Sequence, residues 1–106
     1  MSELLAKRIK FTGLLAQLIT WINSQGEVQV AIGQDGLKHM PGSLHFQGLA
    51  EDLLFYKDGN YLTDDTLGYY KKAGEYWKSL DAECDWGGDF TSIDLDHFSI
   101  GFAGKK

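Results

Sequence analysis

The chain is poor in the residues that staple or interrupt a fold: Cys84 is its only cysteine and Pro41 its only proline among 106 residues. A single thiol excludes an internal disulfide and a four-thiolate zinc site, and it suits a reducing compartment. As a nucleophile Cys84 has little behind it, since an unpaired thiol in a Trp-rich, acidic stretch reads as a small buried hydrophobe. Positive charge is also scarce. Ten Lys and Arg stand against 15 Asp and Glu, for a formal net charge of -5. Phosphate binding depends on a dense positive surface, so no nucleic-acid partner is expected. Lys7, Arg8 and Lys10 read as a solvated helix face, and Lys105 and Lys106 as a solubilising tail. Long apolar runs are missing too. Leu4, Leu5, Leu14, Leu15, Leu18 and Ile19 are interrupted by polar residues and followed by no small-residue cleavage site. Neither a signal peptide nor a membrane span is expected, and a target outside the cytoplasm needs another way out.

What is present suffices for a core. Hydrophobic residues make up 43% and aromatics 13%, far from the depleted profile of disorder. The length predicts one domain, residues 1–106, taken as a monomer. From about Ser2 to Ser24, Leu5, Ile9, Leu15, Leu18, Ile19 and Ile22 recur at helical spacing, with Ser2 as N-cap and Gly26 as stop. Val28, Val30 and Ile32 alternate as a half-buried strand, and Gly33 to Gly42 is a loop. Ala50 to Lys57, then Asp58-Gly59-Asn60 and Tyr61-Leu62, predict a hairpin. Thr63, Asp64 or Asp65 caps a second helix to about Leu80, with Leu67, Tyr70, Ala73, Trp77 and Leu80 on one side and Gly74 allowing close packing. Trp86-Gly87-Gly88-Asp89-Phe90 reads as a connection, and His97 to Phe102 as the last strand. The fold class is α+β: an antiparallel sheet packed against two helices, with any metal site at the sheet.

Chemistry concentrates in two distant stretches. His45 and Asp52 stand seven residues apart, and Asp94-Leu95-Asp96-His97 follows near the far end. Two imidazoles and a carboxylate can hold zinc and leave a fourth position for water, the arrangement of catalytic rather than structural zinc. Asp52 on the strand after the Gly48-Leu49-Ala50 bend can face the same point as His45, with His97 entering from the final strand. Strict alternation puts Asp94 and His97 on opposite faces, so Asp94 must lie in the turn, where its carboxylate can act on the attacking water without being a ligand. Asp96 is the rival base, but its place beside His97 points it away. Glu51 should face opposite Asp52 and be solvated. On the residues alone, surface or hydrogen-bonded core histidines explain the pattern better than a metal does.

Ser43-Leu44-His45-Phe46-Gln47-Gly48-Leu49-Ala50-Glu51-Asp52 resembles the Ser-x-His-x-x-Gly-x-Ala-x-Asp signature of a family of zinc peptidases. That family comprises D-alanyl-D-alanine carboxypeptidases and phage L-alanyl-D-glutamate endopeptidases. Asp94-Leu95-Asp96-His97-Phe98 is similar to its closing Asp-x-x-His-Phe element, and Trp86-Gly87-Gly88-Asp89-Phe90 to the Trp-Gly-Gly-Asp-aromatic segment of phage endolysins. The likeness covers about Lys38 to Phe102. It implies His45, Asp52 and His97 as zinc ligands, Asp94 as catalytic acid/base, and Ser43 in support of the site. The substrate it implies is a peptidoglycan stem peptide containing D-amino acids. One part of the family pattern is absent, an upstream Arg that binds substrate or the oxyanion. Arg8 is the sole arginine and lies in the first helix. Lys38 can substitute as a point charge without the planar fork, and His39 is a loop residue.

The resemblance implies a phage or prophage endolysin of endopeptidase type, held in the host cytoplasm and released through a holin-like pore. Carboxypeptidase relatives tend to show Glu-x-x-His where this chain has Asp94-Leu95-Asp96-His97. The alternatives are a D,D-carboxypeptidase and a non-catalytic protein that keeps the zinc fold for binding or stability. For Trp21, Trp77, Tyr70 and Tyr76, core packing outweighs a sugar groove. Trp86 and Phe90 either wall the cleft or close the core.

Overall fold

A computed structural model describes residues 1–33, 44–45 and 47–106. Helix α1 (Glu3–Gln25) begins where the Ser2 side chain accepts a hydrogen bond from the Leu5 amide, and ends at Gly26, whose φ of 68° is the left-handed cap that glycine adopts without a Cβ penalty. Its buried face is Phe11, Leu14, Leu18 and Ile22. Leu5 and Ile9, predicted to face inward, are 44% and 54% exposed. The helix carries apolar residues around most of its circumference, so spacing alone does not select the stripe that packs.

Strand β1 (Gln29–Ile32) pairs antiparallel with β2 (Ala50–Lys57), which turns at Asp58-Gly59 into the short β3 (Asn60–Tyr61). The predicted hairpin therefore forms. β1 lies at the sheet edge, and Ile32 is 58% exposed rather than half-buried. Helix α2 (Tyr69–Leu80) starts later than predicted, leaving Leu67 exposed outside it. Asp65 still caps it from a distance, its carboxylate accepting from the Tyr70 and Lys71 amides.

Cys84–Trp86 is a strand, β4, so that Trp86, predicted to open a connection, ends a strand instead; a turn of 3-10 helix, Gly87–Asp89, follows it. The final strand β5 is His97–Ile100, shorter than predicted and buried at all four positions. Strand order is β1-β2-β5-β4, antiparallel throughout, with β3 beside β2.

The helices cover one face of this sheet. Trp77 meets Phe11 and Phe98 edge-on at centroid distances of 5.9 and 6.2 Å, and Tyr70 stacks on Phe55 at 4.3 Å. A Cβ on Gly74 would lie 2.2 Å from the Trp86 ring, so only glycine lets α2 sit this close to β4. The Tyr70 hydroxyl accepts from the Phe55 amide and donates to the Leu62 carbonyl, sealing the edge of β2 between its partners β5 and β3. The predicted α+β domain of two helices on an antiparallel sheet is the one observed. Among the described residues no helix is long and apolar enough to cross a membrane.

Candidate metal centre

Asp52 and His97 are register partners on β2 and β5, directly across an antiparallel pair. Such partners project on the same face with Cβ atoms about 5 Å apart. By pleat alternation this face also carries Ala50 and Ser99, whereas Leu53, Phe55, Phe98 and Ile100 point to the helices. His45 arrives on the tight turn before β2, closed by hydrogen bonds from Gly48 N to His45 O and from Leu49 N to Leu44 O. Gly48 takes a φ of +74°, and a Cβ there would lie 2.8 Å from Arg8 Nε. The one arginine therefore lies over the turn that carries His45. Lys7 and Lys10, read as a solvated face, pair with Glu83, and Lys10 also with Asp81.

His45 Nε2 lies 3.3 Å from His97 Nδ1 and 3.5 Å from Asp52 Oδ1. Ligand atoms about 2.0–2.2 Å from a tetrahedral zinc stand about 3.3–3.5 Å from one another. All three ligating atoms fall within 4.8 Å of each other. Two imidazoles and a carboxylate are a donor set that zinc accepts. The donor set, and the two separations from His45, thus fit a zinc ion. The His45 side chain is 7% exposed and that of Asp52 24%, and His97 is buried, so the cluster is largely shielded.

The turn before β5 places the Asp94 backbone against His97. His97 N donates to Asp94 O, and Asp94 N donates to Gly87 O at 2.9 Å. A Cβ on Gly87 would meet Asp94 O at 2.0 Å and His97 Cβ at 2.8 Å, so glycine is what admits the turn. Trp86 Nε1 donates to Leu95 O, clasping the same turn from β4. Asp94 itself is exposed. Of the two aromatics in this segment, Trp86 closes the core and the Phe90 ring stands 5.1 Å from that of His97.

Asp96 has other partners. Its carboxylate accepts from the Tyr61 hydroxyl at 2.7 Å. Burial pushes its carboxyl above the usual range, against the hydrogen bond from Tyr61 that lowers it. Burial and the same carboxylate push the Tyr61 phenol up to about 12. The pairing ties the hairpin to the turn, and Asp96 is kept from the cluster as its strand neighbour position predicted. Glu51 is half-buried, not solvated. Burial raises the Cys84 thiol to about 12, matching its reading as a buried hydrophobe. Ser43, Lys38, His39 and most of the predicted Gly33–Gly42 loop lie outside the described residues.

Ser99 was not singled out from sequence. It is fully buried, with Oγ 2.9 Å from His97 Nε2. The available signal was a hydroxyl two residues past a candidate ligand on an otherwise apolar strand, hence on the ligand's own face. Gly33 was read only as the start of a loop. Its amide donates to Asp52 O, and a Cβ on it would stand 3.0 Å from Asp52 Cβ.

Residues 38–100 match the family model described as D-alanyl-D-alanine carboxypeptidase. That span holds the whole cluster and the turn bearing Asp94. Among curated proteins none matches the chain.

Proposed function

Since this chain belongs to the D-alanyl-D-alanine carboxypeptidase family of zinc peptidases, we propose that it hydrolyses an amide bond in peptidoglycan stem peptides, as a phage or prophage endolysin of L-alanyl-D-glutamate endopeptidase type. The observation that supports it best is the convergence of His45 Nε2, His97 Nδ1 and Asp52 Oδ1 at separations of 3.3 and 3.5 Å. In this reading those three residues hold zinc. When bound, zinc polarises a carbonyl as a Lewis acid and brings the pKa of water down to about 7.

Asp94 is the acid/base. Held by the Gly87 turn and exposed, its carboxylate takes the proton of the attacking water and returns it to the leaving amine nitrogen as the carbon–nitrogen bond breaks. Phe90 screens one side of His97. Lys38 supplies the charge that steadies the developing oxyanion, with Ser43 in support. The endopeptidase assignment rests on Asp94 standing where carboxypeptidase relatives tend to carry Glu. The matching family, D-alanyl-D-alanine carboxypeptidase, favours a D,D-carboxypeptidase as the second reading. In either case the protein acts on the wall after leaving the cytoplasm in which it is made.

The test is digestion of purified peptidoglycan by zinc-loaded protein, followed by mass analysis of the released stem peptides. New amino termini on D-glutamate are the expected result; release of terminal D-alanine alone would assign the carboxypeptidase, and neither product would overturn the peptidase reading. Asp94→Ala should keep its metal and lower turnover about 10²–10⁴-fold. Lys38→Ala should lower turnover by about 10²-fold or more, and unchanged turnover would strip Lys38 of its role.

A further inference from the structure

The two ring nitrogens of His97 have different neighbours. Nδ1 faces His45 Nε2 at 3.3 Å, while Nε2 lies 2.9 Å from Ser99 Oγ. His97 is 7% exposed and Ser99 not at all, so bulk water does not compete for this second contact. Both side chains stand on one face of β5, two residues apart, which fixes their separation through the strand itself. The strand is anchored at that residue from the other side as well: Trp77 Nε1 donates to the Ser99 and Asp85 carbonyls at 3.2 and 3.0 Å.

A neutral imidazole carries one N–H and one lone pair, and only the lone pair can ligate a metal. A hydroxyl that accepts from one nitrogen decides which nitrogen is left. We propose that Ser99 is a positioning residue that holds His97 as the Nε2–H tautomer with the ring turned so that the Nδ1 lone pair points at His45 and Asp52. The inference rests on the reading that His97 is a metal ligand, and deepens it. Ser99 touches neither substrate nor metal and acts only through His97. The hydroxyl oxygen accepts the Nε2 proton, so the ring meets the metal without first having to rotate or exchange a proton between its nitrogens.

Full-length wild type and Ser99→Ala distinguish the outcomes. Long-range nitrogen–proton NMR correlations on the zinc-loaded wild type should show His97 protonated at Nε2 and coordinated through Nδ1. Ser99→Ala deletes one buried oxygen and leaves the β5 backbone pairing intact. It should weaken zinc binding about 10–100-fold in chelator competition, and the metal-free variant should show both tautomers of His97 where wild type shows one. A wild-type His97 coordinated through Nε2 would overturn the inference without any variant being made. Equal zinc affinity and an unchanged tautomer in Ser99→Ala would overturn it too, leaving the metal centre standing. A wild type that takes up no zinc would overturn the metal reading and this inference together.

Discussion

Strand β5 sends Phe98 and Ile100 toward the helices and His97 and Ser99 toward the cluster, and all four are buried. Burial is alike on the two faces, but what keeps each in place is not. On the helix face, Phe98 meets Trp77 edge-on, and Trp77 meets Phe11 in turn. Such contacts are many, weak and non-directional, so they tolerate changes of shape that conserve volume. On the other face, His97 is aimed by directional contacts that include Ser99 Oγ and His45 Nε2. A buried polar group left without its partner costs its full desolvation, and a ligand aimed wrongly binds nothing. One strand therefore carries a robust half and an exacting half, one residue out of step.

The largest expected effect sets neighbours in β5 against each other. His97→Ala should drop zinc from one per chain to none and abolish amide hydrolysis. Ile100→Val should cost about 0.5–1.5 kcal/mol in denaturant titration and leave zinc affinity where it was. If Ile100→Val weakened zinc as much as stability, the two faces would not be separable. Next in size is a pair of glycines, each with no room for a methyl group. Gly74→Ala drives a Cβ to 2.2 Å from the Trp86 ring, and Gly87→Ala drives one to 2.0 Å from Asp94 O. Overpacking of this kind costs about 1–3 kcal/mol or more. Thermal melts should show both losses, but in chelator competition only Gly87→Ala should also weaken zinc, because its Cβ also presses on His97 Cβ at 2.8 Å.

The smallest effect concerns Tyr61, which links the hairpin to that turn through Asp96. Tyr61→Phe removes one neutral-to-carboxylate hydrogen bond at a partly exposed site, worth at most about 1 kcal/mol. Its pH dependence is more telling. The folded phenol titrates near 12, above the ordinary 10.0, so the neutral hydroxyl contributes stability that is full below pH 10 and fades as pH rises toward 12. Urea midpoints should therefore fall between pH 10 and 12 in wild type, and fall less in Tyr61→Phe.

Much of the frame was legible because local chemistry decides it. Ser2 and Gly26 bound α1 through one side-chain oxygen and one left-handed residue, and Asp58-Gly59 closes the β2 hairpin by backbone conformation alone. His45, Asp52 and His97 stood out because the segments around them resemble a zinc-peptidase signature; the residues alone did not decide between a metal and ordinary histidines. The missed features are tertiary. Three-residue β4 owes its existence to pairing with β5 and to Gly74 admitting Trp86, neither visible in a Trp-Gly-Gly run. The packed stripe of α1 passes over Leu5 and Ile9 because the sheet and α2, not the helix, choose which apolar residues are covered. Ser99 escaped notice because a serine on a strand is ordinary until its neighbour is known to be a ligand.

The most direct test is zinc titration of metal-free protein with the coordination read by X-ray absorption at the zinc edge. The expected result is one ion per chain, held by two imidazole nitrogens and carboxylate oxygen, and lost when His45, Asp52 and His97 are all replaced by alanine. Saturable binding that survives that replacement, or no stoichiometric zinc in the wild type, would contradict the account.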